Sequence, residues 1–205
     1  LIAPEALAAN RYAPGIIQGV RSPSGNVAFL FTGQGAQWPT MGQGLYHQSP
    51  VFAHTFDDVC QHLDPLLSQP LKTVIFAEQD SADALLLDRT DFTQAALFAF
   101  EVTLCRTVMH LGVQPDVLIG HSIGEIAAAH IAGIFSLADA AIFVATRGRL
   151  MESITADGTM VAIEASETEI LPSLQKYKEC IAIAAINSPS SVVISGDTDK
   201  VLSLC

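Results

Sequence analysis

The chain has 205 residues, half of them apolar and only 15% charged. That is enough to bury a sizeable core, and it excludes general disorder. Its 21 acidic residues outnumber 10 Lys and Arg for a net charge of −11, so no basic stripe exists to neutralise phosphates and nucleic acid is not an expected partner.

Residues 1–25 are rich in Ala, Pro, Gly and Ser and contain the loop signal "RSPSGN", which predicts the tail of a linker. "NVAFLFTGQG" predicts a buried strand running into a glycine turn. Ser49 to Leu67 predicts a helix with Pro50 in its first turn. "DSADALLLDRTDFTQ" predicts a short helix and a loop. Thr93 to His110 carries Leu97, Phe100, Val102, Leu104 and Val108 around much of its circumference, so a mostly buried helix is expected. A strand over Asp116 to Ile119 follows, then helices over Gly124 to Ala132 and Leu137 to Met151. Ile126 to Thr146 imitates a membrane span, with Asp139 as its one charge. Gly133 and the Ser136-to-Asp139 step predict a helix break and a new N-cap there, hence two buried helices and no membrane partner. From Thr159 the order becomes strand, helix, strand, strand, helix, with a capping box at Ser166 and Glu169. This order predicts a small α+β subdomain, cut before its last strand. Cys60, Cys105, Cys180 and Cys205 show no C-x-x-C spacing, which predicts reduced thiols in a cytoplasmic protein and no metal site. The chain starts without Met and stops in mid-pattern, as a piece of something longer would.

The chemistry centres on Gly120-His121-Ser122-Ile123-Gly124, a G-x-S-x-G run between a predicted strand and a predicted helix. Its glycines let strand and helix close around a tight turn, and the serine hydroxyl then projects from the bend. The helix N-terminus would aim its unpaired N–H groups at that spot, with the Ile123 N–H as the natural oxyanion donor. One such donor is worth about 3–4 kcal/mol in a transition state. The plain alternative is a serine that only caps the helix. A serine nucleophile needs a base. His47, His54, His62, His110, His121 and His130 are present, but no spacing puts any of them beside Ser122, and each reads better as a solvated or core histidine. "GQGAQ" after the first strand offers a second glycine bend, where a backbone N–H can approach a ligand or simply close an ordinary turn. Arg147, in "TRGRLM", reads either as half of a structural ion pair or as a guanidinium held for a carboxylate.

"GQGAQW", "FTQAALFAFE", "GHSIGE", "TRGRLM" and "NSPSSVVISG" occur in this order. Together they resemble the acyltransferase domain of modular type I polyketide synthases, related to malonyl-CoA:acyl-carrier-protein transacylases, over residues 26–205. The resemblance implies an α/β fold. A hydrolase-like larger subdomain with a parallel sheet would cover 26–157. An inserted ferredoxin-like α+β subdomain, incomplete here, would cover 158–205, after the end of a ketosynthase–acyltransferase linker at 1–25.

The resemblance also implies roles. Ser122 would carry the acyl group as an ester, and the backbone N–H groups of Gln34 and Ile123 would form the oxyanion hole. Arg147 would bind the free malonyl carboxylate, while Gln94 and His121 would line the pocket. The implied partners are malonyl-CoA or a related acyl-CoA, an acyl carrier protein, and the ketosynthase and linker of the same polypeptide. No cofactor is expected in this domain, since CoA is part of the substrate and phosphopantetheine sits on the carrier. Ile123, where methylmalonyl users often have glutamine, and "RTDFTQ" favour malonyl as the extender. Ala95 departs from the proline common after "TQ". The family's catalytic histidine follows the small subdomain, so the chain by itself is expected to be nearly inactive and marginally folded. Two other readings stay open on the residues alone: a serine hydrolase sharing G-x-S-x-G, for which Arg147 would have no use, and a structural acyltransferase-like module.

Overall fold

The computed structural model describes Ala9, residues 25–154 and residues 158–204. The expected linker at 1–25 therefore lies almost wholly outside the described residues. In chain order the described elements begin with β1 (Ala28–Phe31), α1 (Gln43–Gln48), α2 (Pro50–Leu63), α3 (Leu71–Ile75), α4 (Ala82–Leu85) and α5 (Thr90–His110). They continue with β2 (Val117–Gly120), α6 (Ile123–Ile131), α7 (Leu137–Glu152), β3 (Gly158–Ile163), α8 (Glu167–Leu174), β4 (Ile181–Ser188), β5 (Ser191–Asp197) and α9 (Thr198–Leu204). The fold class is α/β with a parallel sheet and a small antiparallel sheet, as expected. The chain divides into two compact units, Leu1–Thr146 and Arg147–Cys205.

In the first unit β1 and β2 pair in parallel, with Phe31 opposite Gly120. Asp116 fixes the other end of this pair, because its carboxylate accepts from the Val27 N–H at 2.8 Å and its own N–H donates to the Val27 carbonyl at 2.8 Å. The helices between the strands build the core around Phe52, Phe56, Phe92, Phe98, Leu63 and Ile123, all fully buried. Local signals explain the helix starts. Ser49 accepts from the Phe52 N–H at 3.2 Å and Pro50 opens α2, while Ser81 caps α4 by accepting from Ala84 N–H at 3.1 Å. Thr93 anchors the first turn of α5 by donating its hydroxyl to the Leu87 and Arg89 carbonyls.

The apolar stretch from Ile126 is broken where expected. Gly133, at φ 80°, ends α6 with its N–H on the His130 carbonyl at 2.9 Å. Ser136 then accepts from the Asp139 N–H at 3.1 Å at the start of α7. Among the described residues no helix is long and apolar enough to cross a membrane. The expectation of a buried first strand needs correction. Phe31 is buried, but Leu30 is 73% exposed, as is Ile119 on β2 at 52%. Alternation sends successive side chains to opposite faces, and one face of this two-stranded sheet is uncovered by described residues of its unit.

In the second unit the antiparallel sheet has the order β3-β5-β4. Leu174, Ile181, Ile194 and Val201 form its core. The predicted capping box is present. Ser166 Oγ accepts from the Glu169 N–H at 3.4 Å, and Glu169 Oε2 accepts from the Ser166 N–H at 2.8 Å.

Candidate active site at the strand–helix elbow

Ser122 joins β2 to α6 with φ 55° and ψ −115°. L residues rarely adopt such a conformation, and it costs roughly 1–3 kcal/mol when the surroundings enforce it. Here the surroundings do enforce it. The His121 N–H continues the sheet ladder by donating to the Phe31 carbonyl at 3.0 Å. Immediately afterwards the Gly124 and Glu125 N–H groups donate to the His121 and Ser122 carbonyls at 3.0 and 3.1 Å, so the helix has begun. No room remains between the two. A Cβ on Gly124 would lie 2.5 Å from both the Phe31 and Thr32 carbonyl oxygens, and a Cβ on Gly120 would collide with the Glu125 backbone.

The elbow leaves Ser122 exposed, and its side chain makes no capping bond to the helix. The plain reading of a helix cap therefore fails, because a capping serine holds extended backbone and accepts from an N–H two or three residues on, as Ser49 and Ser81 do. Ile123 contributes its N–H to the first turn of α6, where backbone N–H groups have no intrahelical acceptor. Its side chain is fully buried in the core.

The glycine bend after β1 meets this elbow at the carboxyl ends of the parallel strands, where open α/β sheets bind their ligands. A Cβ on Gly33 would stand 2.6 Å from His121 Nδ1 and 3.2 Å from the His121 carbonyl oxygen. The bend continues through exposed Gln34 and through Gly35, at φ 110°, whose N–H donates to Gln37 Oε1 at 2.8 Å. Gln34, His121 and Ser122 thus belong to two adjoining loops of one unit, and Ile123 opens the helix that follows the second. Gln94 sits in the second turn of α5 with no exposed surface. Arg147 lies half-buried in the last two turns of α7, in the second unit.

The histidines divide as the sequence reading favoured. His130 is a core residue. Its Nδ1 pairs with the Phe135 carbonyl at 2.9 Å and its Nε2 with Arg106 Nη2 at 2.8 Å. These partners make Nδ1 the protonated nitrogen, and burial holds the ring's pKa below its ordinary value. His62 Nδ1 is held by the Asp58 carbonyl at 2.9 Å, while His47, His54 and His110 are exposed. Among the described residues no group of His, Cys, Asp and Glu has the arrangement of a metal site.

One residue escaped the sequence reading. Glu101, on α5, reaches the end of β1 and accepts from both the Thr32 N–H, at 2.5 Å, and the Thr32 hydroxyl, at 2.7 Å, on the same oxygen Oε1. Burial pushes the Glu101 carboxyl pKa up, against the two hydrogen bonds from Thr32. The available signal was an acidic residue inside the apolar helical run "ALFAFEVTL".

Comparison with known proteins gives the family of the chain. The acyl transferase domain family matches residues 28–205. The spectinabilin polyketide synthase system protein NorB of Streptomyces orinoci is 50% identical over 198 residues, which are 97% of this chain and 9% of that protein. The solved acyltransferase domain from the second module of the salinomycin polyketide synthase superposes with a TM-score of 0.85 at 46% identity, over 99% of this chain and 47% of that one. The acyltransferase domain of SpnD, solved as a complex with 2-(pent-4-yn-1-yl)malonyl, superposes with a TM-score of 0.75 at 39% identity, over 98% of this chain and 46% of that one. The chain thus spans about half of the solved domains and a small part of the synthase. A match that takes in both loops of the elbow and the whole small sheet is decisive: the chain belongs to the acyltransferase domains of polyketide synthases.

Proposed function

We propose that Ser122 accepts an acyl group, malonyl in preference to its substituted forms, from a CoA thioester and passes it to the phosphopantetheine thiol of an acyl carrier protein. Ser122 Oγ attacks the thioester carbonyl, and its proton goes to a general base. The tetrahedral oxyanion is met by the backbone N–H groups of Ile123 and Gln34. Collapse expels the CoA thiol, which leaves with the proton, and an ester remains on Ser122. The carrier thiol then attacks that ester, releasing the serine and closing a ping-pong cycle. Arg147 pairs with the free carboxylate of the acyl group, so that an acyl group lacking one leaves a guanidinium unpaired. Gln94 and His121 border the acyl group. The base is the histidine that the family places after the small subdomain. A carrier and a ketosynthase within one synthase supply the partners, and tethering replaces the long-range attraction that a net charge of −11 denies to anionic CoA.

The observation that carries this reading is the backbone of Ser122: a left-handed φ of 55° that keeps the hydroxyl off the helix it precedes. The substituted malonyl group bound in the SpnD domain supports a dicarboxylic acyl group. Mass spectrometry of the Ser122 peptide after exposure to malonyl-CoA tests it. The expected result is a malonyl ester that is absent in Ser122→Ala. An unmodified peptide under conditions that load a known acyltransferase domain is the contrary result.

A further inference from the structure

We propose that Glu101 is a positioning residue for acyl transfer: through Thr32 it sets the glycine bend, and with it the Gln34 N–H, against the Ser122 elbow. The inference rests on the reading of Gln34 as an oxyanion donor.

The connectivity is short. Thr32 is the first residue after β1 and stands two residues before Gln34. One side of it is held by Glu101 Oε1, which takes both the backbone N–H and the hydroxyl. The other side abuts the first turn of α6, since the Thr32 carbonyl oxygen lies 2.5 Å from where a Gly124 Cβ would be. Phe31, one residue earlier, accepts from His121, and Gly33, one residue later, lies against the His121 ring. Thr32 is therefore gripped between α5 and the elbow. A glutamate that is 9% exposed as a residue, with Oε2 buried and lacking a hydrogen-bond partner among the described residues, is costly to keep for stability alone. Its one hydrogen-bonding oxygen is spent on the residue that aims the bend. Donors aimed at a developing oxyanion act only if already in place, and a displacement of about 1 Å costs on the order of 100-fold in rate.

Two properties separate positioning from mere support. Oε1 is an acceptor whether or not the carboxyl is ionised, so Glu101→Gln keeps both bonds. Loss of the anchor also acts on the transition state alone, so kcat falls and KM stays.

The test measures the rate of Ser122 acylation against malonyl-CoA concentration, by mass spectrometry, in the full natural polypeptide that carries this sequence. Glu101→Ala is expected to lower the maximal rate by about 10- to 100-fold with KM unchanged, and Glu101→Gln to restore it to within about threefold. Thr32→Val removes one donor at an exposed position and is not expected to disturb folding. It should cost about 3- to 10-fold, with no further loss when added to Glu101→Ala. Should Glu101→Ala fail to fold, the Gln and Val variants decide. Wild-type maximal rates in Thr32→Val and Glu101→Ala, a loss confined to KM, or a Gln variant as slow as Ala overturns the inference while leaving Ser122 as the acyl carrier. An unmodified protein that gains no ester on Ser122 overturns both.

Discussion

Gly33 and His121 face each other across the seam between the two loops: a Cβ on Gly33 would stand 2.6 Å from the His121 ring nitrogen Nδ1. Both loops grow from the carboxyl ends of paired strands, Phe31 opposite Gly120. This contact therefore lies on the seam between the bend that holds Gln34 and the elbow that holds Ser122.

The glycines around this seam should not respond alike to alanine. The obstacle at Gly33 is chiefly a side-chain ring rather than backbone, so Gly33→Ala should cost the least of the three, about 1 kcal/mol or less in urea unfolding. At Gly124 the obstacles are two carbonyl oxygens at 2.5 Å, and at Gly120 the Glu125 backbone. Neither can yield without parting strand from helix, so Gly124→Ala and Gly120→Ala should each cost about 3 kcal/mol or more, or prevent folding. Equal costs at the three positions would contradict the packing described.

Ser122 holds a conformation that glycine accepts without strain. Ser122→Gly should unfold at higher urea than Ser122→Ala, by about 1 kcal/mol, because the strain relieved exceeds the extra chain entropy of glycine. Both variants should lose acylation. A Gly variant less stable than Ala would mean that the backbone at 122 is unstrained in solution.

Glu101 and His130 should give opposite slopes of stability against pH. Burial raises the folded pKa of Glu101 above its ordinary value of 4.5. The folded state thus holds that proton more tightly than the unfolded chain, and its contribution is full below pH 4.5 and lost as pH rises through the folded value. Burial lowers the folded pKa of His130 from 6.5. The unfolded ring protonates first, so the contribution of His130 is full above pH 6.5 and lost as pH falls. Glu101→Gln should remove the first slope. His130→Ala should remove the second and cost about 1–3 kcal/mol at neutral pH, because the Phe135 carbonyl and Arg106 lose their shared partner. Unfolding curves collected from pH 4 to pH 8 read out both.

Much of this was legible in the residues. Ser49-Pro50, Gly133 with Ser136, and Ser166 with Glu169 mark helix ends through local chemistry alone, and each acts as the sequence implies. The elbow was legible because two glycines and a serine are fixed by covalent geometry within five residues. Short α1 and α3 were not, since α1 starts on the left-handed backbone of Gly42 without a capping side chain, and Pro70 likewise opens α3 without one. The exposed side of β1 escaped too, because an apolar run does not say which of its faces a neighbour covers. Glu101 escaped for a deeper reason. Its partner Thr32 is 69 residues away in sequence, and only the packing of α5 beside β1 brings them together.

Arg147 offers the most discriminating substitution. On the proposed reading of Arg147 as the partner of the malonyl carboxylate, Arg147→Ala should lower malonyl loading by about 100-fold or more and should raise the relative acceptance of acetyl-CoA. A serine hydrolase of uncharged esters would be indifferent to the same change.

The central claim is tested most directly by following the Ser122 peptide in intact polypeptide mixed with malonyl-CoA and then with a phosphopantetheinylated carrier protein. The account predicts a malonyl ester on Ser122 that forms, then disappears as the carrier gains the same mass. A carrier that becomes loaded while Ser122 stays unmodified, or in the Ser122→Ala variant, would contradict it.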